Sequence, residues 1–148
     1  MATTQQRIIG ATLGLIAHHN NEAIAGLHQT LAVVSSPTDT IEQLVRYVAA
    51  ISSHGHSLQT HHDLPPELGQ QLSAFDDELE HQIRLALTDG AGSGVFRSTL
   101  SIDTTARLVR HMLNGLSELV AGSPDRAPSI VSEATETVLA ALANEHRP

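Results

Sequence analysis

The sequence predicts an all-α fold, and three observations carry that reading. Apolar residues recur at spacings of three and four along nearly the whole chain, and no stretch alternates as a half-buried strand does. Hydrophobic residues make up 41% of the chain but aromatics only 2%, so the core must be built from Leu, Ile, Val and Ala, which suits packed helices. At 148 residues one domain is expected. A chain of that size hides roughly 68–70% of its unfolded surface.

The first helix is expected over about residues 4–18, with Ile8, Ile9, Leu13, Leu15 and Ile16 as its apolar positions. Gly10 and Gly14 lie inside it, and each costs ~1 kcal/mol relative to alanine, so this helix is weak on its own. Asn20 and Asn21 either interrupt the helix or only bend it before residues 22–34, which Ile24, Leu27, Leu31 and Val34 stripe, and a continuous helix through Asn20 is open as well. Ser36 and Pro37 then supply an N-cap and a proline at the first helical position, or Asp39 with Glu42 does the capping. The helix that follows displays Ile41, Leu44, Val45, Val48 and Ile51 and stops near Gly55.

Residues 54–64, HGHSLQTHHDL, read as a polar passage. Pro65 and Pro66 open a long helix with Leu68, Leu72, Phe75, Leu79, Ile83 and Ala86 on one stripe, ending before Gly90, Gly92 and Gly94. Asp103 is the expected cap of the next helix, whose apolar positions are Ala106, Val109, Met112, Leu113, Leu116, Leu119 and Val120, with Leu108 off the stripe. Apolar residues on more than one face predict burial against more than one neighbour. Residues 122–128 form a turn, and the last helix starts at Ser129 with Ile130, Val131, Ala134, Val138, Ala141 and Leu142.

Sixteen acidic residues against eight basic ones give a formal charge of −8. The basic residues are all arginine and are scattered: Arg7, Arg46, Arg84, Arg97, Arg107, Arg110, Arg126 and Arg147. Neutralising a nucleic-acid backbone needs converging cations, and only Arg107 and Arg110 are helical neighbours, so DNA binding by this chain alone is not expected. Without cysteine there are no disulfides, thiolate nucleophiles or Cys-based zinc sites. No apolar run approaches the ~20 residues of a membrane helix and no signal-peptide layout opens the chain, so a cytoplasmic protein is expected.

Residues 93–120, SGVFRSTLSIDTTARLVRHMLNGLSELV, join a glycine-punctuated turn to an amphipathic helix. Gly94, Phe96, Arg97, Asp103, Ala106, Arg107, Met112, Leu113, Asn114, Gly115 and Leu116 follow in order a pattern that resembles the penultimate helix of TetR-family transcriptional regulators. The resemblance implies a TetR-like C-terminal helical domain of about six to seven helices, whose last two form a dimeric four-helix bundle. Carried over by position, those two are residues 104–120 and 129–143, with Gly115, Leu116, Leu119, Ala134, Val138 and Ala141 at the dimer interface. The alternative is that these are ordinary positions of a monomer core. The resemblance also implies a pocket for a small apolar effector among the middle helices, drawing on Tyr47, Ile51, Leu72, Phe75, Leu79, Leu108, His111 and Met112. A filled core would use the same residue types.

Intact members of that family carry a three-helix DNA-binding head of about fifty residues, whose third helix enters the major groove. Residues 3–19 resemble its first helix, yet residues 20–24 already read as the entry to the effector domain, and no recognition helix is identifiable. The expected division is a head remnant over 1–20 and an effector-binding and dimerisation domain over 21–148. In the family, effector and operator affinities are thermodynamically linked. The expected partners here are a second copy, a small effector, or a full-length relative deprived of its second reading head. A ligand-free helical homodimer is the structural alternative.

His54, His56, His61, His62 and Asp63 could converge on a metal in a particular loop geometry, and a metal-binding helical module is therefore a third reading, although a solvated polar segment is the simpler one. No GxSxG, HExxH or phosphate-cradling loop is present, and Asp76, Asp77, Glu78 and Glu80 read as a solvated helix face. Neither an enzyme nor a bound cofactor is expected.

Overall fold

The computed structural model describes residues 3–53 and 66–144, with the side chains of 9–17, 19–20 and 66–73 outside the described set. Thr3 begins the first helix, α1 (Thr4–Leu31): its hydroxyl accepts from the Gln6 amide at 3.1 Å while the Gln6 side chain accepts from the Thr3 amide at 2.9 Å. This reciprocal capping satisfies two amides that a helix start leaves without partners. The helix then runs unbroken through Asn20 and Asn21, so of the arrangements open there the structure takes the continuous one, a helix of 28 residues. Asparagine costs at most about 0.7 kcal/mol in a helix. Packing of the second half of α1 through Leu27 offsets a cost of that size.

Helix α2 (Pro37–Ser52) starts as the serine–proline pair requires, with Ser36 Oγ accepting from the Asp39 amide at 3.1 Å. Helix α3 (Pro66–Ser93) corrects the expected stop before Gly90: it continues through Gly90 and Gly92 and ends at Gly94, whose φ of 81° suits a residue without Cβ. Helix α4 (Ile102–Gly122) is capped by Ser101, which accepts from the Thr104 amide, and the expected cap Asp103 lies within the first turn instead. There its charge complements the helix dipole and meets Arg84 of α3 at 3.1 Å. One turn of 3-10 helix, Pro124–Arg126, leads into α5 (Ala127–Leu142). The fold is all-α.

One apolar core joins all five helices, drawing on Leu27, Val45, Leu79, Ile83, Leu113 and Leu142 among others. Helices α3 and α4 run antiparallel, as their crossed pairs record: Arg84 with Asp103, and Glu80 with Arg110 at 3.0 Å. The Gly94–Phe96–Arg97 part of residues 93–120 forms a tertiary clamp. Phe96 is buried against Gly90, and its amide donates to the Gly90 carbonyl at 3.0 Å. Arg97 donates from its amide to the Leu142 carbonyl at 3.0 Å and from its guanidinium to the Ala141 carbonyl. Asn144 returns a bond to the Gly94 carbonyl at 3.1 Å. These contacts satisfy carbonyls that the end of α5 would otherwise leave orphaned, and they tie that end to the α3–α4 turn.

Candidate functional site

Helix α4 is apolar on two adjoining sides. Ala106, Val109, Leu113, Leu116 and Val120 are buried in the protomer's own core. On the outer side Leu108, Met112 and Leu119 keep 59%, 38% and 62% of their surface exposed, far more than leucine and methionine keep inside a helical core. Gly115 lies between them, with open space where a Cβ would stand. Beside this stripe a groove of about 540 Å³ runs between α4 and α5, lined chiefly by Met112, Gly115, Leu116, Leu119, Ile130 and Ala134. Thr137 and Val138 also line it, and Glu118 and Glu133 are its carboxylates.

The residues expected at a dimer interface are thereby brought together in one place, since Gly115, Leu116, Leu119, Ala134 and Val138 all line this groove. Leu116 and Val138 also belong to the core, and Ala141 is exposed on α5. The residues expected around an effector are divided. Tyr47, Phe75 and Leu79 lie in or against the core, where the Tyr47 and Phe75 rings are 6.4 Å apart, and Ile51 packs on it half-buried. Leu108, His111 and Met112 stand on the outer side of α4. The Leu72 side chain lies outside the described residues, as do His54, His56, His61, His62 and Asp63.

The interior holds a small polar cluster that spacing alone did not mark. Ser52 of α2 and Ser117 of α4 are fully buried and share a hydrogen bond of 2.7 Å. One turn earlier on α4, Asn114 is 5% exposed, and its Oδ1 has no hydrogen-bond partner among the described residues. A buried acceptor left so costs about 1–3 kcal/mol. The signal for this cluster in the sequence is a serine or asparagine at a position where the helical period calls for an apolar residue.

Nearer the surface, Tyr47 donates to the Ala23 carbonyl at 2.6 Å, and burial pushes its phenol pKa up. His28 of α1 meets Glu78 of α3 at 2.7 Å, and Gln82 donates to the same oxygen at 2.9 Å. The hydrogen bond from His28, then that from Gln82, holds the Glu78 carboxyl below its ordinary range. Among the described residues no group of three or more His, Asp and Glu converges as a metal site, and no helix is long and apolar enough to cross a membrane. No protein-family model matches the chain, and no curated protein or solved structure matches it either.

Proposed function

We propose that this chain is the ligand-sensing and dimerisation part of a TetR-like transcriptional regulator, acting in the cytoplasm as a homodimer and not binding DNA by itself. The observation that carries the reading is the outer apolar side of α4, with Leu108, Met112 and Leu119 exposed beside the α4–α5 groove. Burying a leucine fully is worth about 1.5–3 kcal/mol, and a two-fold axis counts every buried residue twice. Burial of these side chains therefore sets several kcal/mol per dimer against the cost of association.

The sensing half of the proposal is supported by the family pattern over residues 94–116 and by the unpartnered Asn114 oxygen beside the Ser52–Ser117 pair. A small, mostly apolar effector carrying one hydrogen-bond donor suits such an environment. Charge supports the statement that the chain does not bind DNA by itself. The net charge is −8, and Arg46, Arg84 and Arg110 are engaged by carboxylates of Glu42, Glu80 and Asp103.

Sedimentation equilibrium of the full chain tests the reading. A dimer is expected, and Leu119→Glu should convert it to a monomer of unchanged helical circular dichroism. A wild-type chain that sediments as a monomer across the accessible concentration range would sink the proposal.

A further inference from the structure

We propose that the second copy docks with its α4 antiparallel to α4 about a two-fold axis between Met112 and Gly115, so that His111 of each copy lies opposite Glu118 of the other. This rests on the dimer reading above and adds to it a register and a pair of polar contacts.

The outward positions Leu108, Met112, Gly115 and Leu119 are separated by four, three and four residues. That series reads the same in both directions. Antiparallel pairing therefore sets Leu108 against Leu119 and Met112 against Gly115 of the partner, the alternation that a helical seam requires. The shapes agree as well, because Met112 is a large flexible side chain and Gly115 offers open space in place of a Cβ. Parallel pairing would instead set Gly115 on Gly115, leaving a hole, and Met112 on Met112. An isologous contact needs a surface that complements itself, and only the antiparallel arrangement of this stripe does so.

The flanking charges agree with the same register. His111 and Glu118 are exposed and lie seven residues apart, so both stand on one flank of the stripe. With Leu108 level with the partner's Leu119, the partner's Glu118 falls about 3 Å along the axis from His111, at 1.5 Å per residue. An imidazole N–H then meets a carboxylate twice per dimer. The two Glu118 carboxylates are about 13 Å apart along the axis at that rise, past the ~10 Å screening length. The other charged groups nearby are Arg107, one turn before His111, and Glu133 on α5, while Arg110 is turned to Glu80 of α3.

The chain has no cysteine, so single-cysteine variants can read the register directly. Leu108→Cys and Leu119→Cys are made separately, each checked for dimerisation by sedimentation and treated with oxidised glutathione alone and as a mixture. In the proposed register like positions are about 16 Å apart along the axis, and a disulfide spans Cα atoms no more than ~7 Å apart. The mixture should cross-link, and neither variant alone should. Cross-linking of Leu108→Cys with itself, or a dimer whose mixture stays uncross-linked, overturns the register while leaving the dimer reading intact; a monomer overturns both. His111→Glu tests the polar contact. It should weaken self-association on the order of tenfold by placing like charges opposite, and mixing with Glu118→Lys should restore association. Unchanged self-association of His111→Glu overturns the pairing.

Discussion

Adding one methyl group at Gly90 tests whether the clamp at the end of α3 is what lets a glycine stand inside that helix. In an exposed helix interior, Gly→Ala stabilises by roughly 0.8–1.0 kcal/mol. At Gly90 a Cβ would lie 2.6 Å from Cε2 and 2.7 Å from Cγ of Phe96, with Cδ2 nearer still. Ordinary carbon contacts are about 3.5–4.0 Å, so the ring would have to shift by about an ångström or more. Phe96 is 2% exposed and cannot swing into solvent. Overpacking of that kind costs about 1–3 kcal/mol. The shift also disturbs the bonds from the Phe96 amide to Gly90 and from the Arg97 amide to Leu142, each of 3.0 Å, and a bond of this sort is worth about 1 kcal/mol.

Set against the gain in helix propensity, the net expectation for Gly90→Ala is a loss of about 2 kcal/mol. That corresponds to a Tm lower by roughly 4–8 °C for a chain of this length. Gly92 supplies the control, since it lies two residues further along the same helix with nothing within 4 Å of its would-be Cβ. Gly92→Ala should gain up to about 1 kcal/mol. Urea unfolding followed at the helix band, at one chain concentration so that any self-association enters both variants equally, measures both. Trimming the ring in Gly90→Ala/Phe96→Leu should cost less than the sum of the two single changes, because the two sites touch. If Gly90→Ala proves as stable as Gly92→Ala, the clamp argument fails.

Two further outcomes follow from buried or paired polar groups. Ser117→Ala should cost about 1–3 kcal/mol in urea unfolding by removing the partner of the buried Ser52 hydroxyl, and the Ser52→Ala/Ser117→Ala double variant should cost less than the sum of the two single changes. Strict additivity would mean that the 2.7 Å contact carries no coupling. Glu78 has a folded-state pKa below its unfolded value. Its contribution is therefore fully present above the unfolded carboxylate value, about 4.3, and is lost as pH falls through the depressed one. Glu78→Gln should flatten that acid limb of the stability–pH curve; an unaltered limb would show that the His28 contact does not hold the carboxyl down.

The residues by themselves determined the fold class and the inward stripes of α2 and of the described part of α3, because three-and-four spacing acts within one or two turns of chain; they left the cap of α2 between Ser36 and Asp39. The turn at residues 94–97 was legible as a turn, but its lock on the end of α5 by Arg97 involves partners more than forty residues away. Tertiary structure alone decided the points where a local preference is weak. The costs of Asn20, Asn21 and Gly90 in a helix are of order 1 kcal/mol or less, small enough for packing on neighbouring helices to override. The choice between Ser101 and Asp103 as the cap of α4 is one of local register, Ser101 accepting from the Thr104 amide while Asp103 stands in the first turn. The division of the expected pocket residues has a related cause. Helical periodicity orders side chains around their own axis but does not say which neighbour occupies each side. Helix α4 is apolar on both, so whether Leu108, His111 and Met112 faced an interior or the outside was set by where α2, α3 and α5 came to rest.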